Sequence, residues 1–202
     1  MKRRRDRLYP LETAALLTAC ALLLTGVWAR GRQEALSEKV VRLHVLASSD
    51  GEADQRLKLS VRDAALEYLA PRLADAADAA EARTRLEAAL PELERLAASV
   101  SGQSARVTLG RESYPTREYE SFSLPAGTYT SLKIVLGEGR GRNWWCVVYP
   151  PLCAAEPGAL WETAALDGDE VRLITEDGTE YEIRFKILEW WGELTARWEK
   201  TE

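Results

Sequence analysis

The sequence has very few of the side chains that nucleophilic and metal-dependent enzymes use. Its 202 residues include one histidine, His44, and three cysteines, Cys20, Cys146 and Cys153. A serine–histidine or cysteine–histidine mechanism would have to use His44, which lies in an alternating, strand-like segment. His44, Cys146 and Cys153 come from distant segments without the close Cys-x-x-Cys spacing of a zinc site. We predict no catalytic residue, no metal and no cofactor.

A phosphate-binding glycine loop is also missing. Gly137 and Gly139 begin a G-x-G-x-x-G pattern, but Arg142 stands where the third glycine is required, and no helix is predicted to follow. We interpret residues 137–141 as a hairpin connection between two strands.

Basic side chains are in deficit. The 27 basic and 32 acidic residues give a formal net charge of −5. Residues 1–30 hold six basic and two acidic side chains, so residues 31–202 carry −9. This balance argues against a nucleic-acid partner and against attachment to an anionic membrane surface by general charge.

An apolar run follows a basic cluster near the N-terminus. Five basic side chains lie within residues 2–7, and residues 13–29 contain no charged side chain. This pattern predicts that residues 1–29 are a signal peptide or a membrane anchor, and that residues 30–202 form a single exported domain. We expect membrane contact only through residues 13–29, before any cleavage.

Two processing signals fall within this run. Val27-Trp28-Ala29 resembles the small-x-small pattern before a signal-peptidase cut, which would release a protein that begins near Arg30. Residues 17–20 resemble a lipobox, with Cys20 as the lipidated residue, although the run stays apolar after Cys20. Cleavage, retention and lipidation all remain open from the sequence.

Hydrophobic periodicity predicts an α+β fold in one compact domain. An N-terminal strand and helices are followed by an antiparallel-rich sheet and a C-terminal helix. Ser49 and Asp50 are suited to cap the first helix after the strand. Pro91 is expected to split or kink the next helix, since an internal proline costs about 3 kcal/mol. The predicted strands are 40–47, 105–109, 129–136 and 144–149, and the predicted helices are 53–71, 75–98 and 181–200.

Residues 143–153 (NWWCVVYPPLC) concentrate residue types that core packing rarely requires together. The aromatic and β-branched part predicts a strand, and Pro150 and Pro151 end it because proline cannot donate to a sheet. If Cys20 leaves with the signal or stays in the membrane, the exported part holds two cysteines. An even count in an oxidising compartment favours a disulfide between Cys146 and Cys153. Two buried free thiols are the alternative.

Several segments together resemble the stage II sporulation protein R family of endospore-forming bacteria. They cover nearly all of the predicted exported region in order. Ser48, Glu120 and Lys133 depart from the residues usual in the family, and only Glu120 would alter a turn. The matching segments are 44–50 (HVLASSD), 54–63 (DQRLKLSVRD), 124–132 (LPAGTYTSL), 137–146 (GEGRGRNWWC), 150–153 (PPLC) and 185–189 (FKILE).

The resemblance implies a signalling protein and not an enzyme. Family members are made in the forespore and exported to the intermembrane space between forespore and mother cell. There they activate a membrane-embedded aspartic protease, which cleaves the precursor of the early mother-cell sigma factor. The resemblance therefore implies that protease as the partner of this chain.

A rigid aromatic loop is the leading candidate for partner binding, because aromatic side chains are enriched at interface hot spots. Its residues are Asn143, Trp144, Trp145, Pro150 and Pro151. The alternative is that the two tryptophans alternate across a strand and one of them packs in the core.

A second candidate is Arg62 with Asp63, for which an intrahelical pair on a solvated face is the alternative. His44 completes the candidate set. Two other functions remain open. One is an envelope hydrolase that uses His44 with a cysteine or with Asp50, Asp54 or Asp63, and the other is an anchored structural envelope protein.

Overall fold

The computed structural model of the protein describes residues 10–119 and 122–152, together with Leu166 and Ile174. It confirms an α+β fold with long helices and a mixed sheet. The predicted C-terminal helix at 181–200 lies outside the described residues. The elements are α1 (Pro10–Lys39), β1 (Val41–Leu46), α2 (Glu52–Leu73), α3 (Ala79–Ser101), β2 (Ala105–Tyr114), β3 (Arg117–Glu118), β4 (Ser123–Leu124), β5 (Gly127–Leu136) and β6 (Asn143–Tyr149).

The main sheet has four strands in the order β2-β5-β1-β6. β1 runs parallel to β5 and antiparallel to β6, and β2 runs antiparallel to β5. The predicted hairpin at residues 137–141 is therefore wrong, because β1 lies between β5 and β6. The connection crosses the end of β1 instead, where Arg140 and Gly141 donate backbone hydrogen bonds to the carbonyl oxygens of Ser48 and Ala47 at 3.1 and 2.9 Å.

Two helices cover one face of this sheet. Successive side chains of a strand point to opposite faces of the sheet. α2 and α3 pack on the face that carries the odd-numbered side chains of β1 and apolar side chains of β5 and β6. Burial of these side chains stabilises the fold by about 25 cal/mol per Å² of apolar surface removed from water. The fully buried large side chains of this layer are Leu43, Leu69, Leu86, Leu93, Leu132, Ile134 and Leu136.

Pro91 does not split α3, whereas a kink there stays a prediction, and the predicted side-chain cap of α2 is wrong. α3 continues through Pro91, which lies on its exposed side, because the burial of Leu86 and Leu93 on the opposite side outweighs the lost hydrogen bond. The N-cap of α2 is Gly51 with no side-chain cap, since Asp50 accepts the backbone N–H of Arg142 instead. Ser49 is likewise occupied elsewhere, as it donates to the Asp54 carboxylate at 2.6 Å.

The other face of the sheet is covered by shorter elements. The end of α1, the small β3–β4 pair and the segment after β6 pack there on a second apolar cluster. Even-numbered side chains of β1 and β2 point to this side. The buried members of the cluster are Leu36, Val40, Tyr114, Phe122, Leu124, Tyr129, Val147, Leu152, Leu166 and Ile174.

α1 is one helix whose two ends have different surroundings. Leu17 and Val27 are 71% and 73% exposed, whereas Leu36 near the other end is fully buried. Within the described residues, the segment Glu12–Lys39 is long and apolar enough to cross a membrane, a property that signal sequences share. Gln33 packs directly against Gly127, so a cut after Ala29 would leave the packed end of α1 in the domain.

Candidate functional site

Most of the aromatic segment forms a strand, as predicted, and this separates the five candidate residues. Asn143 and Tyr149 are the two ends of β6 and lie about 20 Å apart at 3.3 Å per residue, and Pro150 follows Tyr149. Pro150 is buried and Pro151 is exposed. A seven-residue strand holds its ends at opposite ends of the sheet, so the five residues do not form one presented loop, and their part in partner binding stays a prediction.

Trp144 and Trp145 point to opposite faces of the sheet, as the period of a strand requires. Trp144 lies on the helix side and packs partly on the main core. Trp145 lies on the other side, with ring centroids 5.7 Å from His44 and 5.8 Å from Tyr114. Each tryptophan is partly buried, so neither is a freely presented side chain.

Arg62 joins Trp144 in one surface patch. The Arg62 guanidinium lies 4.9 Å from the Trp144 ring centroid and also pairs with Asp63 at 2.6 Å. Leu59, one turn earlier on the same side of α2, is 38% exposed. We call Leu59, Arg62, Asp63 and Trp144 the α2–β6 patch. The structure thus brings together Arg62 and Trp144, which belonged to two separate candidate sites in the sequence analysis.

On the opposite face, a row of polar side chains crosses all four strands. Glu112 comes from β2, Lys133 from β5, His44 from β1 and Asn143 from β6. The Glu112 carboxylate accepts from Lys133 Nζ at 2.8 Å and lies 3.0 Å from His44 Nδ1. His44 Nε2 lies 2.7 Å from Asn143 Oδ1. We call these four residues the polar row.

The electrostatics of the row are set by Glu112. Burial raises the pKa of this carboxyl, but hydrogen bonds from Lys133, His44 and Ser131 favour the charged form more strongly and lower the pKa to about 2. An ionised carboxylate only accepts hydrogen bonds, so Nδ1 of His44 is a donor. Although the resemblance leads us to expect arginine at Lys133, lysine still supplies the cation that Glu112 requires.

A buried arginine lies beside the row. Arg42 is 0% exposed, and its guanidinium is 4.0 Å from the Tyr114 ring centroid and 5.1 Å from that of Tyr129. One of its nitrogens donates to the Tyr119 hydroxyl at 2.8 Å. The charge is thus stabilised by aromatic faces, which compensate for part of the lost hydration.

Sequence reasoning missed Arg42, Glu112 and Lys133. The one available signal was the alternation of β1, which puts Arg42 on the same face as His44. Nothing in the sequence indicates that Glu112 lies beside His44, because β5 separates their strands in the sheet.

Among the described residues, the structure places Glu112 beside His44, and not the cysteine or the aspartates predicted for a hydrolase. Cys146 pairs in register with Leu43 and points into the helix side, away from His44. The predicted carboxylates are bound elsewhere as well: Asp54 accepts from Ser49 and Gln103, and Asp63 pairs with Arg62. Among the described residues, no three histidine, cysteine or acidic side chains are grouped to hold a metal ion.

The disulfide stays a prediction, because Cys153 lies outside the described residues. Cys146 is 1% exposed. If the pair forms, reduction of the isolated chain should raise its intact mass by two hydrogen atoms. The Cys153→Ser variant provides the control and should show no such change. An unchanged mass for the unaltered chain would contradict the pairing.

The fold and its surfaces define a class: an α+β domain that follows an apolar N-terminal helix and carries the α2–β6 patch and the polar row on opposite faces of its sheet. Comparison with known proteins identifies the family within this class. The family model for stage II sporulation protein R matches residues 37–158, and the chain belongs to this family. It therefore has a role in sporulation.

A relative from Bacillus subtilis (strain 168), named stage II sporulation protein R, is 37% identical over 123 residues. The match covers 58% of this chain and 55% of the relative, so the chain spans about half the length of the curated relative it matches. No solved structure matches the chain.

Proposed function

We propose that the chain is a forespore-derived signal that is exported to the intermembrane space and activates a membrane-embedded aspartic protease. The activated protease then processes the precursor of the early mother-cell sigma factor. The observation that carries this proposal is the family match over residues 37–158, which contain every strand of the four-stranded sheet.

The surfaces of the domain support a binding role. The α2–β6 patch combines a tryptophan, an arginine and an exposed leucine, and tryptophan and arginine are enriched at interface hot spots. Both side chains are held by their mutual contact and by the core beneath Trp144, so docking would order few additional rotamers. We assign the patch as the primary contact with the protease.

Activation by such a contact has a thermodynamic requirement. A ligand shifts an enzyme toward its active state only by binding that state, or its active dimer, more tightly than the inactive state. A rigid patch meets this requirement if its complement on the protease is complete only in the active state.

The N-terminal helix supports export. α1 contains a segment with the length and composition of a signal or anchor, and the domain that follows is acidic. Insertion of this helix would place the sheet and its patches on the far side of the membrane.

Reconstitution in a non-sporulating bacterial host tests the proposal. Cells should cleave the sigma-factor precursor only when the full chain, the protease and the precursor are expressed together. A chain without residues 1–29 stays in the cytoplasm and should give no cleavage. Equal cleavage with and without the full chain would refute the signalling function.

A further inference from the structure

β2 is an edge strand of the main sheet. It spans ten residues, Ala105–Tyr114, and along its whole length it pairs with β5 on one side. No described strand pairs with its other side. Edge strands expose backbone donors and acceptors that another chain can use.

Two hydrogen bonds establish which residues of β2 face outward. Just before the strand, the Ser104 carbonyl oxygen accepts from Gly137 at 2.7 Å, so even-numbered residues bond toward β5. Val107 N–H donates instead to the Glu94 side chain at 3.0 Å, which shows that odd-numbered residues point away from β5. The backbone groups of Leu109, Arg111 and Ser113 therefore face outward.

This part of the edge lacks the usual protection. Residues 108–113 (TLGRES) include neither proline nor lysine, the residues that commonly block an edge. Glu94 occupies the outward N–H only at Val107. Three successive outward positions thus remain open to an added strand within the described part of the chain.

A second copy of the chain is a poor occupant. In an antiparallel two-fold pair that uses all three open positions, Leu109 faces Ser113 and Arg111 faces Arg111, and directly opposed like charges are destabilising. A register centred on residue 109 or 110 needs the N–H of Val107, which Glu94 already binds.

The charge of the edge indicates an acidic occupant. Arg106 and Arg111 are exposed, and no carboxylate of the described residues pairs with either. Arg83 lies on the same side as Arg111, because it contacts Thr130, the register partner of Arg111. Glu112 does not offset these charges, since His44 and Lys133 already bind it.

We propose that the outer edge of β2 binds an extended acidic segment of the partner protein as an added strand. An acidic side chain of that segment faces Arg111. This inference rests on the proposed function, in which the partner is the membrane-embedded protease, and it adds a second contact on the sheet edge opposite the α2–β6 patch.

Three variants at Arg111 test this contact by co-purification of the full chain with the detergent-solubilised protease. Arg111→Pro removes the outward N–H without removing a bond to β5 and should weaken binding on the order of tenfold relative to Arg111→Val, which retains the N–H. Arg111→Glu keeps the N–H and should also bind more weakly than Arg111→Val, because it repels the acidic segment.

The outcomes separate the two proposals. If the unaltered chain binds, and Arg111→Pro and Arg111→Glu bind as tightly as Arg111→Val, the edge contact is refuted and the signalling function stands. If the unaltered chain does not bind the protease, both are refuted. Circular dichroism checks folding, and if Arg111→Pro is unfolded, the comparison of Arg111→Glu with Arg111→Val decides the matter.

Discussion

Replacing Arg62 and Trp144 together by alanine should abolish sigma-factor processing while the chain still folds and accumulates. The two side chains form the contact at the centre of the α2–β6 patch, with the guanidinium 4.9 Å from the ring centroid. Loss of a tryptophan and an arginine from one hot spot typically costs several kcal/mol of binding, of order 2–4 per residue. Processing is measured by immunoblot of the precursor and product in sporulating cells.

The same helix supplies a matched control. Arg72 lies 3.6 Å from the ring centroid of Tyr68, nearly three turns after Arg62. Replacing Tyr68 and Arg72 by alanine removes a similar stacked pair outside the patch and should leave processing intact. Normal processing in the Arg62 and Trp144 double variant would remove the patch from the interface.

Replacing Glu112 by glutamine should lower the free energy of unfolding by about 2 kcal/mol at pH 7, after allowance for screening at a carboxylate that is one-quarter exposed. The folded-state pKa of Glu112 is about 2, below the ordinary value of 4.5. Its contribution is therefore fully present above pH 4.5 and is lost as the pH falls toward 2.

Urea denaturation at pH 7, 4 and 3 measures this difference. The unaltered chain should lose its advantage over Glu112→Gln across that range, whereas Asp54, Asp75 and Glu81, whose pKa values are also lowered, contribute equally to both proteins. The exposed Glu118 supplies the control, and Glu118→Gln should follow the unaltered chain. A difference between Glu112→Gln and the unaltered chain that does not change with pH would contradict the role of the ionised carboxylate.

The strands were predictable because each carries a local pattern. Residues 40–47 were expected as a strand and form β1 (Val41–Leu46), and 129–136 and 144–149 match β5 and β6 to within two residues. The prediction at 105–109 stopped halfway along β2, because Gly110, Arg111 and Glu112 are polar or flexible and read locally as a loop. Only the pairing with β5 keeps that half extended.

The candidate site was partly predictable for the same reason. The alternation of side chains along a strand correctly allowed for Trp144 and Trp145 on opposite faces of the sheet. It could not place Trp144 beside Arg62 or Trp145 beside His44. Arg62 meets Trp144 because the β5–β6 connection crosses the end of β1 and brings β6 next to α2. Glu112 meets His44 because their strands pair with opposite sides of β5. Residue patterns carry no information about such long-range neighbours.

By itself the sequence determined the α+β class, the apolar N-terminal helix, the acidic balance and the family to which the chain belongs. These follow from composition and local periodicity, which depend on neighbouring residues alone. Only the tertiary structure decided that the glycine-rich connection is a crossover, that β6 divides the aromatic segment between two faces, and that β2 is an edge. Those features depend on strand order, which is set by the burial of whole faces rather than by any single segment.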